Sequence, residues 1–160
     1  MRTERPLADK ENLTVNRFFD TFRGLVYPGQ CDAMGHMNVQ HYIAAFDQAM
    51  WHLVHEIGYR KPAGPNIGHG WADVRHVVEY RRELAAGTLY RVASSVEKVG
   101  RSSLVTRHRM FELDSSELAA ECEMTSVYFD LAARVSAPLP QSLGDAARAL
   151  LPDHASGVPS

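Results

Sequence analysis

Cysteine is scarce in this chain of 160 residues, with only Cys31 and Cys122 present. Two thiols in unlike contexts, one in a loop and one in a strand pattern, give no disulfide framework and are expected to be reduced, as in a cytoplasmic protein. Long apolar runs are missing too. No stretch reaches the length of a membrane span, and Met1-Arg2-Thr3-Glu4-Arg5-Pro6 lacks the apolar core of a secretion signal, so no membrane association is expected. Charge of one sign is not in excess: 17 Lys and Arg stand against 19 Asp and Glu, a net charge of −2. That balance gives no general attraction for nucleic acid. Internal repeats and low-complexity tracts are absent as well.

What is present suits one globular domain. Forty-five per cent of the residues are hydrophobic, enough for a full core at this length. The organising stretch is Tyr27 to Asn38, which places a thiol, a carboxylate, an imidazole and two glycines between an extended run and a helix. The helix is read over Val39 to Ile57, because Tyr42, Phe46, Met50, Leu53, Val54 and Ile57 recur every three or four residues. Its apolar face is so wide that a sheet is expected to enclose it. Asn38 is the expected N-cap, and Gly58 suits the left-handed position after the last turn.

Around the helix, alternation predicts strands. The first runs from Thr21 to Tyr27, stopped by Pro28-Gly29, and a Pro- and Gly-rich connection follows the helix from Arg60 to His69. Four more strands are expected over Trp71–Tyr80, Leu89–Val99, Ser102–Leu113 and Leu118–Asp130, joined by tight turns into an antiparallel meander. In the first of these, Ala72, Val74, His76, Val78 and Tyr80 are expected on one side, with Trp71 and Asp73 on the other. In the last, Leu118 is expected on the same face as Ala120 and Cys122. Pro138 and Pro140 end the meander, Gly144 to Leu151 is read as a short terminal helix, and 155–160 as a frayed tail. The layout is an α+β fold, with an N-terminal arm over 1–20, a main domain over 21–143 and a C-terminal helix and tail over 144–160.

A helix start next to a carboxylate has a definite chemical capacity. Free backbone N–H groups in the first turn can hold the negative charge that grows on a carbonyl oxygen under attack. Asp32 can attack that carbonyl or draw a proton from a water that does. The pair therefore suits acyl transfer to water.

The run Val26 to Asn38, with its Asp32-Ala33-Met34-Gly35-His36-Met37-Asn38 core and with Tyr42 and Phe46-Asp47 beyond it, resembles the signature of hotdog-fold acyl-CoA thioesterases of the 4-hydroxybenzoyl-CoA thioesterase group. Val99-Gly100-Arg101-Ser102-Ser103 and Pro138-Leu139-Pro140 extend the resemblance over roughly 21–143. It implies a long helix wrapped by an antiparallel sheet, a homodimer or homotetramer paired through its sheets, and active sites at the subunit interface. It implies hydrolysis of an acyl-CoA to free acid and CoA, with no cofactor and no metal. By position, Asp32 matches the catalytic carboxylate, and the backbone of Asn38 and Val39 matches the helix start facing the thioester carbonyl. Gly35, His36 and Tyr42 become lining residues, and Arg101 and Ser102 CoA contacts. Gln30 departs from the pattern, since many relatives carry a second acid there.

Other readings of the same residues are less economical. Asp32 as a turn residue capping local amides is the ordinary role of a loop aspartate. Cys31 beside His36 is thin support for a thiol nucleophile, and His41, His52 and His55 on one helix lack the Cys cluster or His-Glu-x-x-His pattern of a metal site. Lys98, Arg107 and Arg109 are read either as partners for CoA phosphates at a pocket mouth or, at least as readily, as charge protecting a solvated strand edge. A non-catalytic acyl-CoA-binding module is the main alternative function. A dehydratase or hydratase is a lesser one, because its His-and-distant-acid motif is missing.

Overall fold

A computed structural model describes residues 18–152; all but the last three residues of the expected arm, and the tail over 155–160, lie outside them. The elements run β1 (Phe19–Leu25), α1 (Val39–Glu56), β2 (His69–Tyr80), β3 (Leu89–Val99), β4 (Ser103–Glu112), β5 (Leu118–Asp130), β6 (Val135–Ser136) and α2 (Gln141–Arg148). The sheet is antiparallel in the order β1-β3-β4-β5-β2, with the short β6 on the end of β5. This is the hotdog arrangement, a long helix held by an antiparallel sheet.

The helix forms where its apolar spacing demanded. Phe46, Ala49, Leu53 and Val54 are wholly enclosed, packed with Val92, Val96, Leu104 and Met124 of the sheet. Asn38 caps its start by accepting the Gln40 N–H at 3.1 Å on its side-chain oxygen. Gly58, at φ +102°, turns the chain out of its end, a conformation that would strain a side chain.

The strands depart from simple alternation at bulges. On β2 the register slips between Asp73 and Arg75, leaving Val74 unpaired and 61% exposed. Trp71 and Asp73 therefore share the inward face with His76, Val78 and Tyr80, because one extra residue flips every side chain beyond it. A similar slip between β4 and β5 omits Ala119, so Leu118 faces away from Ala120 and Cys122. β1 lies two residues earlier than its pattern suggested, since Val26 is already in the turn, exchanging bonds with Gly87 and Thr88. α2 also starts earlier, directly after Pro140, and buries Leu143 and Ala147 in the main core. No described helix is long and apolar enough to cross a membrane.

Candidate active site

The loop between β1 and α1 is a hydrogen-bonded frame. Pro28–Gln30 form one 3₁₀ turn, closed by Gln30, whose side-chain oxygen accepts the Tyr27 N–H at 2.9 Å. Gln30, the position at which the sequence departs from the resemblance, thus has a local structural job. Cys31 and Met37 bridge across the loop, and the Asp32 N–H donates to the His36 carbonyl at 2.8 Å. Gly35 makes the tip possible at φ +84°. The Met37 N–H donates to the Leu84 carbonyl at 2.8 Å, and His36 bridges Ala85, which ties the loop to the connection between β2 and β3.

Within that frame Asp32 divides its carboxylate. Oδ1 accepts the backbone N–H of Met34 at 2.8 Å and of His36 at 3.4 Å, an Asx turn that fixes the side chain. Oδ2 takes part in neither bond and is the oxygen left for chemistry. The turn-capping and the catalytic readings of Asp32 are therefore compatible, one on each oxygen.

The first turn of α1 has a similar division. The Asn38 N–H donates to the Gln30 carbonyl at 2.9 Å, the Gln40 N–H to the Asn38 side chain, and the His41 N–H to the Asn38 carbonyl. Among the described residues the Val39 N–H has no partner. Of the two amides implied by the family resemblance, that of Asn38 is committed to the frame and that of Val39 is not.

Asp32, His36, Val39 and Tyr42 line one cleft of about 500 Å³. Its far wall comes from sequence far downstream: Tyr80 at the end of β2, then Arg81, Arg82 and Glu83. Tyr42 meets Tyr80 edge-on at 5.2 Å and donates to the Arg82 carbonyl at 3.3 Å; burial pushes its phenol up, so it stays a neutral donor. Both arginines are paired away from the cleft's acids, Arg81 with Glu79 and Arg82 with Glu112 and Glu117. This far wall was not anticipated from sequence. The only hint was that a dense charged run, Glu79-Tyr80-Arg81-Arg82-Glu83, sits where a plain turn would do.

Arg101 and Ser102 are not part of this wall. They lie in the β3–β4 turn, where their carbonyls accept the N–H groups of Leu139 and Tyr128, and no acid among the described residues pairs with the Arg101 guanidinium. His41 is half-buried, while His52 and His55 are exposed on α1. Among the described residues no three His, Cys, Asp or Glu side chains gather as a ligand set for a metal.

Comparison with known proteins accords with this geometry. A Staphylococcus aureus protein solved in complex with CoA superposes with a TM-score of 0.75 at 16% identity, over 89% of this chain and 96% of the other. A 1,4-dihydroxy-2-naphthoyl-CoA thioesterase from Synechocystis gives 0.70 at 18% identity, over 86% and 98%. A Thermus thermophilus thioesterase solved with coenzyme A and zinc gives 0.70 at 24%, over 84% and 96%. These likenesses establish the shared fold. No curated protein matches the chain at a significant level. The model of the thioesterase-like superfamily matches residues 26–147, which takes in the loop, the helix and every strand after β1, and the chain belongs to that superfamily.

Proposed function

We propose that this protein hydrolyses an acyl-CoA thioester to the free acid and CoA. The observation that carries the reading is the presence, along one cleft, of a carboxylate oxygen and a helix-start N–H without partners among the described residues: Oδ2 of Asp32 and the amide of Val39. Asp32 takes a proton from water as the water oxygen bonds to the thioester carbon, and the Val39 N–H holds the resulting oxyanion. The C–S bond then breaks, and the thiolate recovers the proton from Asp32. Direct attack by Asp32, with an anhydride hydrolysed in a second step, uses the same groups. Either route consumes only water.

Membership of the superfamily and the CoA-bound likenesses support CoA as the carrier. Arg101, a cation without an acid partner among the described residues, is assigned to a CoA phosphate. Since Arg101 does not line the cleft of its own chain, the assignment fits a dimer in which one subunit's turn borders the other's cleft. β2 supports such pairing: it is an edge strand, and Val74 and Val77 on it are 61% and 41% exposed. The two free thiols, one loosely held and one buried, suit a reducing cytoplasm.

The test is thiol release from short, branched, long and aromatic acyl-CoAs, with wild type and Asp32→Asn side by side. Turnover by wild type that falls at least a hundredfold in the variant is the expected result, the scale of a lost acid–base group. Tight binding of one acyl-CoA with no thiol release would make the protein a binding module instead.

A further inference from the structure

The cleft holds a second carboxylate, and its position suggests a use. Glu83 sits on the connection between β2 and β3, next to Leu84, which is buried and accepts the Met37 N–H of the catalytic loop. Its side chain is 70% exposed, yet its Oε2 lies 3.3 Å from Nδ1 of His36. The neighbouring arginines are both taken by other glutamates, so His36 is the one cationic or N–H-bearing side chain that Glu83 meets among the described residues. His36 Nδ1, for its part, is shut off from solvent and has no aligned hydrogen bond. An unsatisfied buried polar atom costs about 1–3 kcal/mol, and a small rotation of the exposed Glu83 side chain would complete the bond. Catalytic hydrogen bonds are often this loose before substrate is bound.

We infer that Glu83 is a positioning residue of the hydrolytic site, acting through His36. By accepting the Nδ1 proton it fixes the tautomer of the neutral imidazole, because the hydrogen bond at one ring nitrogen decides the state of the other. Nε2 is then left as a lone-pair acceptor, on a residue that lines the same cleft as Asp32. Such an acceptor orients the hydrogen of the attacking water that Asp32 does not take. The acid supplied by many relatives two residues before the catalytic aspartate is here Gln30, occupied in closing the 3₁₀ turn. Glu83 brings a carboxylate to the site from the other side of the loop.

This inference rests on the hydrolase reading for its consequence but not for its structural half, and the experiment separates the two. The ¹⁵N spectrum of the neutral His36 imidazole, in wild type and Glu83→Ala, reports the tautomer without any substrate. Wild type is expected in the Nδ1–H form and the variant in the Nε2–H form usual for a free imidazole. On an acyl-CoA that wild type hydrolyses, Glu83→Ala is expected to lower kcat about tenfold with KM little changed, and to have no further effect in a His36→Ala background. A tautomer unchanged by Glu83→Ala overturns the inference, as does an effect of Glu83→Ala that persists in full without His36. If wild type releases no thiol from any acyl-CoA, the hydrolase reading fails while the tautomer measurement still decides whether Glu83 holds the ring. Melting temperatures that differ by no more than the loss of one hydrogen bond accounts for, about 1–3 kcal/mol, show that the loop frame is intact.

Discussion

Two places in this molecule hold polar groups inside or against the apolar body, and they treat them in opposite ways. Beneath α1, His108 is wholly buried on β4, and both ring nitrogens are satisfied: Nδ1 by the Ser94 hydroxyl at 2.7 Å and Nε2 by the Thr106 hydroxyl at 2.8 Å. Ser94 in turn meets Thr21 at 2.7 Å, and Thr106 reaches the sulfur of Met50. Every member has a partner, so the network fixes the relation of β1, β3, β4 and α1 without offering a free atom. In the cleft, by contrast, the frame is complete while three atoms remain over: Asp32 Oδ2, the Val39 N–H and His36 Nδ1. Burial of a polar group is thus no guide to chemistry in this fold. Within the cleft a missing partner is the more useful sign: Asp32 Oδ2 and the Val39 N–H are open to a ligand, while His36 Nδ1 faces Glu83 at 3.3 Å.

The sharpest way to break the comparison is Asp32→Asn. Asparagine keeps a side-chain oxygen for the Met34 and His36 N–H groups, so the Asx turn and the melting temperature should survive. Only the negative charge goes, and with it the proton acceptor; the expected loss in kcat is about a hundredfold or more, roughly 3 kcal/mol or beyond in the barrier. If the melting temperature fell together with activity, Asp32 would belong with His108 among the structural groups.

The next largest effect lies on the satisfied side and is a pH dependence. Burial, with a smaller contribution from His76, pushes His108 down to about 3 from an ordinary 6.5. Below pH 6.5 the unfolded chain takes up a proton here that the folded chain refuses, so this contribution to stability is whole above 6.5 and lost progressively toward 3. By pH 4.5, two units below the unfolded value, the loss is about 2–3 kcal/mol. Denaturant midpoints between pH 7 and 4.5 measure it, and replacing His108 by Leu should flatten that stretch of the curve. Glu121 acts only further down: burial alone would raise its carboxyl, but Arg109 and Arg107 outweigh it and hold the group below 4.5. Its contribution is lost at more acid pH.

These differences also show what the sequence could and could not convey. The helix, its Asn38 cap, the Gly58 turn and the ranges of β3 and β5 follow from spacing and turn chemistry, which act over a few residues. The bulges at Val74 and Ala119 do not, because a register slip depends on what the neighbouring strand presents. Asp32 and His36 stand out because one short loop carries them. Glu83, Tyr80 and the paired state of Arg81 and Arg82 are tertiary facts, assembled from strand ends and a connection brought back against that loop. The His108 network was equally hidden: alternation put His108 on a strand, while its two hydroxyl partners came from β3 and from two residues earlier on β4.

At neutral pH His108→Leu should cost about 1–3 kcal/mol, the range for buried hydroxyls deprived of a partner. Ser94 keeps Thr21, and Thr106 keeps Met50, so the lower part of that range is expected, read from denaturant midpoints at pH 7. Turnover per folded molecule should not change, which is how the variant sharpens the contrast with Asp32.

The smallest effect should come from the opposite face of the same strand. Arg107 bonds Glu121 at 2.8 Å and Glu123 at 3.2 Å and approaches Glu97 at 3.6 Å, while Arg109 bonds Glu121 at 2.5 Å and covers the Phe18 ring at 4.4 Å. Sequence left Lys98, Arg107 and Arg109 between CoA contact and solvated strand; this lattice accounts for the two arginines, which have acid partners and do not line the cleft. Arg109→Ala removes one pair from a partly solvated network and leaves Glu121 with Arg107. The expected cost is therefore no more than about 1 kcal/mol, smaller still at high salt, with KM for CoA esters unaltered. A raised KM would instead place Arg109 among the groups that meet the substrate, and this outer face would then have to be counted with the cleft rather than against it.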